Sequence, residues 1–133
     1  MKLEVILVDD DSVIIFIHKT LITSNNFSQA PIAFSNGKDT LEYLKNHQDK
    51  SATIFIMLDI NMPEMNGWQF LDALKNVHQQ DNLYIVMVTS SIDRTDKLKA
   101  KEYPNIVEYI EKPITMAKIE ELKKLKELNK FFQ

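Results

Sequence analysis

Short apolar runs, each followed at once by polar residues, recur at intervals along the chain. Residues 5–8, 54–58, 84–88 and 106–110 are rich in Val, Ile and aromatics, with little polar alternation at their centres. Such runs suit strands buried on both faces of a parallel sheet. A weaker candidate spans residues 30–34, where Pro31 has no N–H for a ladder and predicts an edge or the beginning of a strand. Segments of helical length lie between the runs. Leu41 and Leu44 form one stripe after Asn36-Gly37, and Trp68, Phe70, Leu71, Leu74 and Val77 form another after Asn66-Gly67. From Thr115 onward, Ile119, Leu122, Leu125 and Leu128 stand among Lys and Glu, which predicts an outer amphipathic helix whose charges, from Lys118 to Lys130, face solvent. Five alternations of strand and helix predict an α/β domain: a doubly wound five-stranded parallel sheet with helices on both faces. Parallel strands need crossovers, and right-handed crossovers place helices on both sides.

Composition narrows the function. The chain has 133 residues, which predicts a single domain over 1–133. Apolar residues at 44% and charged residues at 26% supply one ordinary core. The lack of Cys removes disulfides, thiolate metal sites and thiol nucleophiles. Sixteen Lys and Arg against 19 Asp and Glu leave a net charge of -3, so no global basic field exists to hold nucleic acid. No apolar run approaches the roughly 20 residues that span a bilayer, and the N-terminus lacks the apolar core and cleavage site of a signal peptide. A cytoplasmic protein with no direct nucleic-acid or membrane contact is expected.

In an open parallel sheet the binding crevice lies beyond the carboxyl ends of the strands, so residues directly after the apolar runs carry the candidate chemistry. These are Asp9, Asp10 and Asp11 with Ser12; Asp59; Thr89, Ser90 and Ser91; and Glu111, Lys112 and Pro113. Carboxylates gathered at one rim repel each other unless a cation is present, so Asp9, Asp10 and Asp59 point to a hard divalent ion, with Mg²⁺ the natural candidate. A carboxylate beside such an ion can attack phosphorus. Thr89 offers a hydroxyl hydrogen bond to a phosphoryl oxygen and Lys112 a compact positive charge. Asp11 or Ser12 is expected to cap the first helix, and Asp39 and Asp93 to act as caps only.

Four motifs, Ile6-Leu7-Val8-Asp9-Asp10, Leu58-Asp59-Ile60-Asn61-Met62-Pro63-Glu64-Met65-Asn66-Gly67, Val86-Met87-Val88-Thr89-Ser90 and Tyr109-Ile110-Glu111-Lys112-Pro113, span nearly the whole chain. In order and spacing they resemble a receiver domain of a two-component response regulator, of the stand-alone chemotaxis kind. The resemblance implies a flavodoxin-like strand order 2-1-3-4-5. It implies that Asp59 accepts a phosphoryl group from a phosphohistidine, as a signalling acceptor and not a turnover enzyme. Asp10, Asp9, Asp59 and the backbone carbonyl of Asn61 would hold Mg²⁺; Lys112 would pair with the acyl phosphate. Thr89 and Tyr109 would form the switch, Asn61 and Ser91 would tune the lifetime of the phosphoryl group, and the bond before Pro113 would be cis. The partners implied are a histidine kinase or histidine phosphotransfer protein and a downstream protein target. Where the family commonly has Asp-Gly, this chain has Asn66-Gly67, a change that turn geometry tolerates.

Residues 13–17 are apolar nearly all round. Exposed apolar area marks a partner surface, so Ile14 and Ile15 are expected to meet the phosphodonor; burial beneath the C-terminal segment with Phe131 and Phe132 is the alternative. Three other readings of the whole chain stand beside the switch. A Mg²⁺-dependent small-substrate phosphatase using Asp59 would want a second Asp where Asn61 stands. A flavodoxin-like cofactor binder would want a hydroxyl-rich first loop in place of Asp9 to Asp11. A non-phosphorylated scaffold receiver would not need Asp10, Asp59, Thr89 and Lys112 together. His18, His47 and His78 fall in separate segments with no companion at a metal-ligand spacing, which predicts surface or helix-end roles.

Overall fold

The computed structural model describes every residue except Met1, Gln48, Gln79, Gln80, Ser91 and Ile92, so Ser91 lies outside the described residues. Strands β1 (Lys2–Val8), β2 (Ile32–Phe34), β3 (Ala52–Asp59), β4 (Leu83–Thr89) and β5 (Ile106–Glu111) alternate with helices α1 (Ser12–Ser24), α2 (Gly37–Lys45), α3 (Gly67–Leu74), α4 (Arg94–Ala100) and α5 (Met116–Lys123). The strands form one parallel sheet in the order β2-β1-β3-β4-β5. The central strand β3 is buried along its whole length, as its apolar sequence requires. The strand that follows Pro31 is short, half-buried and at the edge, where a missing donor costs least.

Each face of the sheet carries its own core. Leu44 of α2, Phe70, Leu71 and Leu74 of α3 and Ala100 of α4 pack with Ile6, Ile56 and Ile85 on one face. On the other, Ile22 of α1 and Ile119 and Leu122 of α5 pack with Leu7, Phe55 and Val86. Register then brings the polar strand ends together. Val8 lies opposite Leu58, Asp59 opposite Val88, and Thr89 opposite Glu111. Asp9, Asp59, Thr89 and Lys112 therefore finish on one rim.

Asp11 caps α1, accepting from the N–H groups of Val13 at 2.9 Å and Ile14 at 3.4 Å, and Asp93 caps α4. Asp39 does not cap α2. Asn36 takes that place and Asp39 sits in the first turn, where an acid favours the positive end of the helix dipole. The expected C-terminal helix is shorter than its sequence suggests: α5 stops at Lys123, and the chain continues in tight turns to a 3₁₀ turn at Asn129–Phe131. The spacing explains it. Residues 119, 122, 125 and 128 recur every three positions, which matches three residues per turn, whereas an α-helix would rotate the stripe by roughly 60° at each step. The tighter turns keep Leu128 buried and bring Phe132 against Phe27, with ring centroids 4.9 Å apart.

Gly67 opens α3 directly behind the end of β3. Its N–H donates to the carbonyl of Ile60 at 2.8 Å, and a Cβ there would lie 2.8 Å from the backbone oxygen of Asp59 and 3.0 Å from the Cα of Ile60. At Gly37 a Cβ would meet chiefly the flexible end of Met65, also at 2.8 Å. We therefore expect Gly67→Ala to lose about 1–3 kcal/mol by overpacking against backbone. Gly37→Ala should stay near neutral, since Met65 can move and Ala favours the helix by about 1 kcal/mol. Urea unfolding of both variants measures this; equal losses would show that the backbone at Asp59 yields as readily as a methionine.

Candidate functional site

The rim is built from the last residues of four strands or the residues just beyond them. Asp59, the last residue of β3, is 2% exposed, and Asp9, just after β1, is 4% exposed. Asp10 is exposed and opens the cluster to solvent. The N–H of Asp11 donates to Asp9 Oδ1 at 2.9 Å, and the N–H of Asn61 donates to Asp59 Oδ1 at 3.3 Å. Lys112 reaches back from the end of β5, placing Nζ 2.9 Å from Asp9 Oδ2 and 3.5 Å from Asp59 Oδ1. Its own N–H donates to the carbonyl of Thr89 at 2.7 Å, which couples the ends of β4 and β5. The Lys112–Pro113 bond is cis.

Electrostatics at the rim follow from crowding. Burial and then the charge of Asp9 push the Asp59 carboxyl up from 3.8 to about 6, with Asp10 adding to the rise and Lys112 and the Asn61 N–H opposing it. For Lys112, burial favours the neutral amine, but the hydrogen bond and charge of Asp9 and the charge of Asp59 outweigh it and hold the ammonium above its ordinary value. A single lysine thus counterbalances two buried carboxylates and a third exposed one. Among the described residues, Asp9, Asp10 and Asp59 form a group in which one carboxylate oxygen from each lies within 4.8 Å of the others. Oxygen donors at that separation, with one side open to water, fit a hard divalent cation that keeps part of its hydration shell. The residues present therefore fit Mg²⁺.

Thr89 is buried, and its Oγ1 has no hydrogen-bond partner in the protein; the buried hydroxyl of Tyr109 is likewise unpartnered. Burial, then the charges of Asp96 and Asp93, push that phenol up to about 12, so it stays protonated. Two neutral hydroxyls with unused hydrogen-bonding capacity thus stand near the rim and on the neighbouring strand.

Of the described residues named from the sequence, Asp9, Asp10, Asp59, Thr89 and Lys112 arrive at this end of the sheet. Ile14 and Ile15 lie on α1 and are partly buried, Ile15 packing against the α1/α5 core and lining a small recess with Asp9 and Asp59. The expectation of surface or helix-end roles holds for His47 and His78, whose backbone N–H groups donate to the carbonyls of Leu44 and Leu74 at the ends of α2 and α3, and fails for His18. His18 is 4% exposed, and its Nε2 accepts the N–H of Ile114 at 3.1 Å, tying α1 to the segment just after Pro113. The signal was present in the sequence, since Ile15, His18 and Ile22 share one helical face. His47 and His78 face each other, with ring centroids 6.2 Å apart. Trp68 donates from Nε1 to Asp96 at 3.3 Å, linking α3 to α4, a pairing that no local spacing reveals.

Comparison with known proteins places this geometry in a family. The family model described as "Response regulator receiver domain" matches residues 5–124. "Chemotaxis protein CheY-3" of Vibrio cholerae is 30% identical over 135 aligned positions, covering 99% of this chain and 93% of that protein. "Sensor histidine kinase CheAY" of Helicobacter pylori is 38% identical over 79 residues, 59% of this chain, and the chain spans only 10% of that relative's length. Among solved structures, a "Two component response regulator" from Cytophaga hutchinsonii superposes with a TM-score of 0.81 at 29% identity, over 97% of this chain and 99% of the other.

Burial gives Asp59 and His18 opposite effects on stability. Between pH 3.8 and about 6 the folded state holds a proton on Asp59 that the unfolded state has lost, so stability falls as pH rises through that window. His18, whose Nε2 must stay unprotonated to accept from Ile114, is lowered from 6.5 to about 4 by burial, with Lys112 acting in the same direction and Asp9 against it. Its contribution is fully present above pH 6.5 and is lost as pH falls toward 4. At about 1.4 kcal/mol per pH unit the two effects are each on the order of 3 kcal/mol and nearly cancel. Without divalent cations, Asp59→Asn should gain about 1–3 kcal/mol over the native protein at pH 7. The gap should close near pH 4, because native Asp59 is by then protonated and neutral like Asn, while the His18 loss is common to both proteins. Urea unfolding at pH 7, 5.5 and 4.2 in EDTA measures it, and a gap independent of pH would refute the assignment.

Proposed function

Because the chain belongs to the response regulator receiver domain family, we propose that Asp59 is its phosphoryl acceptor, with Lys112, Thr89 and a divalent cation as the supporting chemistry. The carrying observation is the Asp59 carboxylate: buried, 3.5 Å from Lys112 Nζ and grouped with Asp9 and Asp10. In the proposed transfer an Asp59 carboxylate oxygen attacks phosphorus in line, the P–N bond of a phosphohistidine breaks, and the imidazole leaves with its electron pair and takes up a proton. Asp9, Asp10, Asp59 and the Asn61 carbonyl would hold Mg²⁺. When bound, the cation neutralises charge on the transferring group. Lys112 would do the same with its ammonium, which Asp9 holds in place through the 2.9 Å contact. Thr89, whose Oγ1 is unpartnered, donates to a phosphoryl oxygen of the product. Its movement frees space for Tyr109, whose buried hydroxyl is also unpartnered. One phosphoryl group is accepted and later hydrolysed per cycle, so the chain acts as a switch and not as a turnover enzyme. Residues 1–133 act as one receiver unit, and its output is a changed surface over α4, β5 and α5 that a protein target reads.

The proposed phosphodonor is a histidine kinase or histidine phosphotransfer protein, and an ATP-fed donor implies a cytoplasmic setting. Among the described residues no helix is long and apolar enough to cross a membrane. Its docking surface is the exposed side of α1, where Val13 is 63%, Phe16 71% and Ile17 39% exposed. Ile14 borders this patch, and Ile15 supports it from the core side.

Incubation with Mg²⁺ and acetyl phosphate, followed by intact mass, tests the acceptor, and beryllofluoride with Trp68 fluorescence tests the bound state. We expect an adduct and a fluorescence change in the native protein and neither in Asp59→Asn. Lys112→Ala should slow adduct formation about 10²–10³-fold. Sustained phosphate release without an adduct would instead favour a phosphatase, and no response of either kind would defeat the reading. For docking, Phe16→Asp should slow transfer from a phosphohistidine donor and leave acetyl phosphate labelling unchanged; equal loss with both donors would remove α1 from the interface.

A further inference from the structure

At the opposite pole of the sheet we propose a second cation site, for one divalent transition ion of the Zn²⁺ class, ligated by Nδ1 of His47 and Nδ1 of His78. The site is a recess of about 500 Å³ where the chain leaves α2 and α3 and enters β3, with Leu44, Ala52, Ile54 and Val77 among its lining residues. Among the described residues four buried side-chain polar atoms have no hydrogen-bond partner in the protein. Two are Thr89 Oγ1 and Tyr109 OH, and the other two are His47 Nδ1 and His78 Nδ1, both in this recess. Buried polar atoms are normally satisfied, so two imidazole nitrogens left over in one place call for a shared partner.

Tautomer chemistry sharpens the case. His47 Nε2 pairs with the Glu4 carboxylate on β1, and a carboxylate accepts, so Nε2 carries the proton. A neutral ring then presents its lone pair at Nδ1. A carboxylate behind a ligating histidine is the arrangement that orients imidazole toward a metal and raises its basicity. The His47 side chain is only 9% exposed, and Tyr43 packs against its ring at 5.7 Å between centroids, which limits rotation. The rings of His47 and His78 lie 6.2 Å apart, tilted by 56°. With Zn–N bonds of about 2.1 Å, two imidazoles on one tetrahedral ion place their centroids roughly 5–6 Å apart. A small rotation of His78 closes the difference.

The remaining positions fall to water, which the recess has room to hold. Nitrogen donors select Zn²⁺, Ni²⁺ or Cu²⁺, whereas Mg²⁺ takes oxygen. The two poles therefore sort cations by hardness and do not compete. An ion held here would fasten the ends of α2 and α3 to β1 through Glu4.

Metal-stripped full-length protein in excess Mg²⁺, titrated with Zn²⁺ against a chelating dye and with Co²⁺ by its visible absorption, tests the site. One equivalent should bind. Glu4→Gln should weaken binding about 10–100-fold, as loss of such an orienting partner does. His47→Gln and His78→Gln should each weaken it by at least as much, and Asp59→Asn should leave it unchanged. His78 makes no hydrogen bond to Glu4, so His78→Gln keeps the test decisive if His47→Gln fails to fold. On Zn²⁺ addition the ¹⁵N signals of both Nδ1 atoms should shift. Unchanged affinity in a folded His78→Gln overturns the proposal, as do displacement of the ion by Mg²⁺, its loss in Asp59→Asn, or no binding at micromolar Zn²⁺.

Discussion

Holding Asp9, Asp10 and Asp59 within 4.8 Å of one another is electrostatically unfavourable, and the architecture of the domain is what makes it possible. Unrestrained carboxylates would move apart. Here two of them are fixed by β1 and β3, whose neighbouring residues are buried on both faces of the sheet. A slip of one residue in the β1–β3 register would turn the apolar side chains of one core into the other and move the acids out of reach. The hydrophobic effect over two cores thus maintains a charge arrangement that would not assemble on its own. Lys112 relieves part of the repulsion, and it reaches the rim because the β4–β5 ladder ends with Thr89 opposite Glu111.

What the sequence disclosed and what it hid divide along a physical line. Residues 54–58 announce a central strand because a strand buried on both faces leaves no room for polar alternation. The rim residues follow, since each directly succeeds such a run. Asp11 is readable as a cap because capping is local. The terminal stripe at residues 119, 122, 125 and 128 carried its own answer, as a period of three belongs to 3₁₀ turns more than to an α-helix, yet among lysines and glutamates it looks like an ordinary amphipathic helix. His47 and His78 were opaque. Their meeting depends on the ends of α2 and α3 lying side by side, and no spacing within either segment encodes that. His18 lies between these cases: its helical face is legible, but the partner that makes burial tolerable, the N–H of Ile114, comes from the far end of the chain.

Among the described residues, the buried groups left without partners are grouped, and the grouping is informative. A protein that satisfies nearly all of its buried polar atoms leaves few exceptions, and those mark places where something else is expected to arrive. Thr89 and Tyr109 are hydroxyls on adjacent strands at the oxygen-rich rim. His47 and His78 are imidazoles at the nitrogen-rich recess. The donor chemistry differs at the two ends because three clustered acids stand at the strand termini of one end, whereas at the other two imidazoles meet past the ends of α2 and α3, one of them backed by the Glu4 carboxylate.

Under the proposed assignment of Asp59, these unsatisfied hydroxyls also bound what the switch can do. A ligand or modification shifts a two-state equilibrium only by the free energy it contributes in one state and not in the other. An unpaired buried hydroxyl costs about 1–3 kcal/mol, so a phosphoryl oxygen that accepts from Thr89 in one state alone has that much to contribute. Attraction between the phosphoryl group and Lys112 adds to both states and drives no change by itself. The differential part must come from groups that move, and Thr89 is joined to Lys112 by the 2.7 Å backbone hydrogen bond that closes the β4–β5 end. A displacement of Thr89 toward Asp59 is therefore felt first along β5, where Tyr109 holds the other unpartnered hydroxyl. The unsatisfied state before phosphorylation is what gives the phosphoryl group something to change.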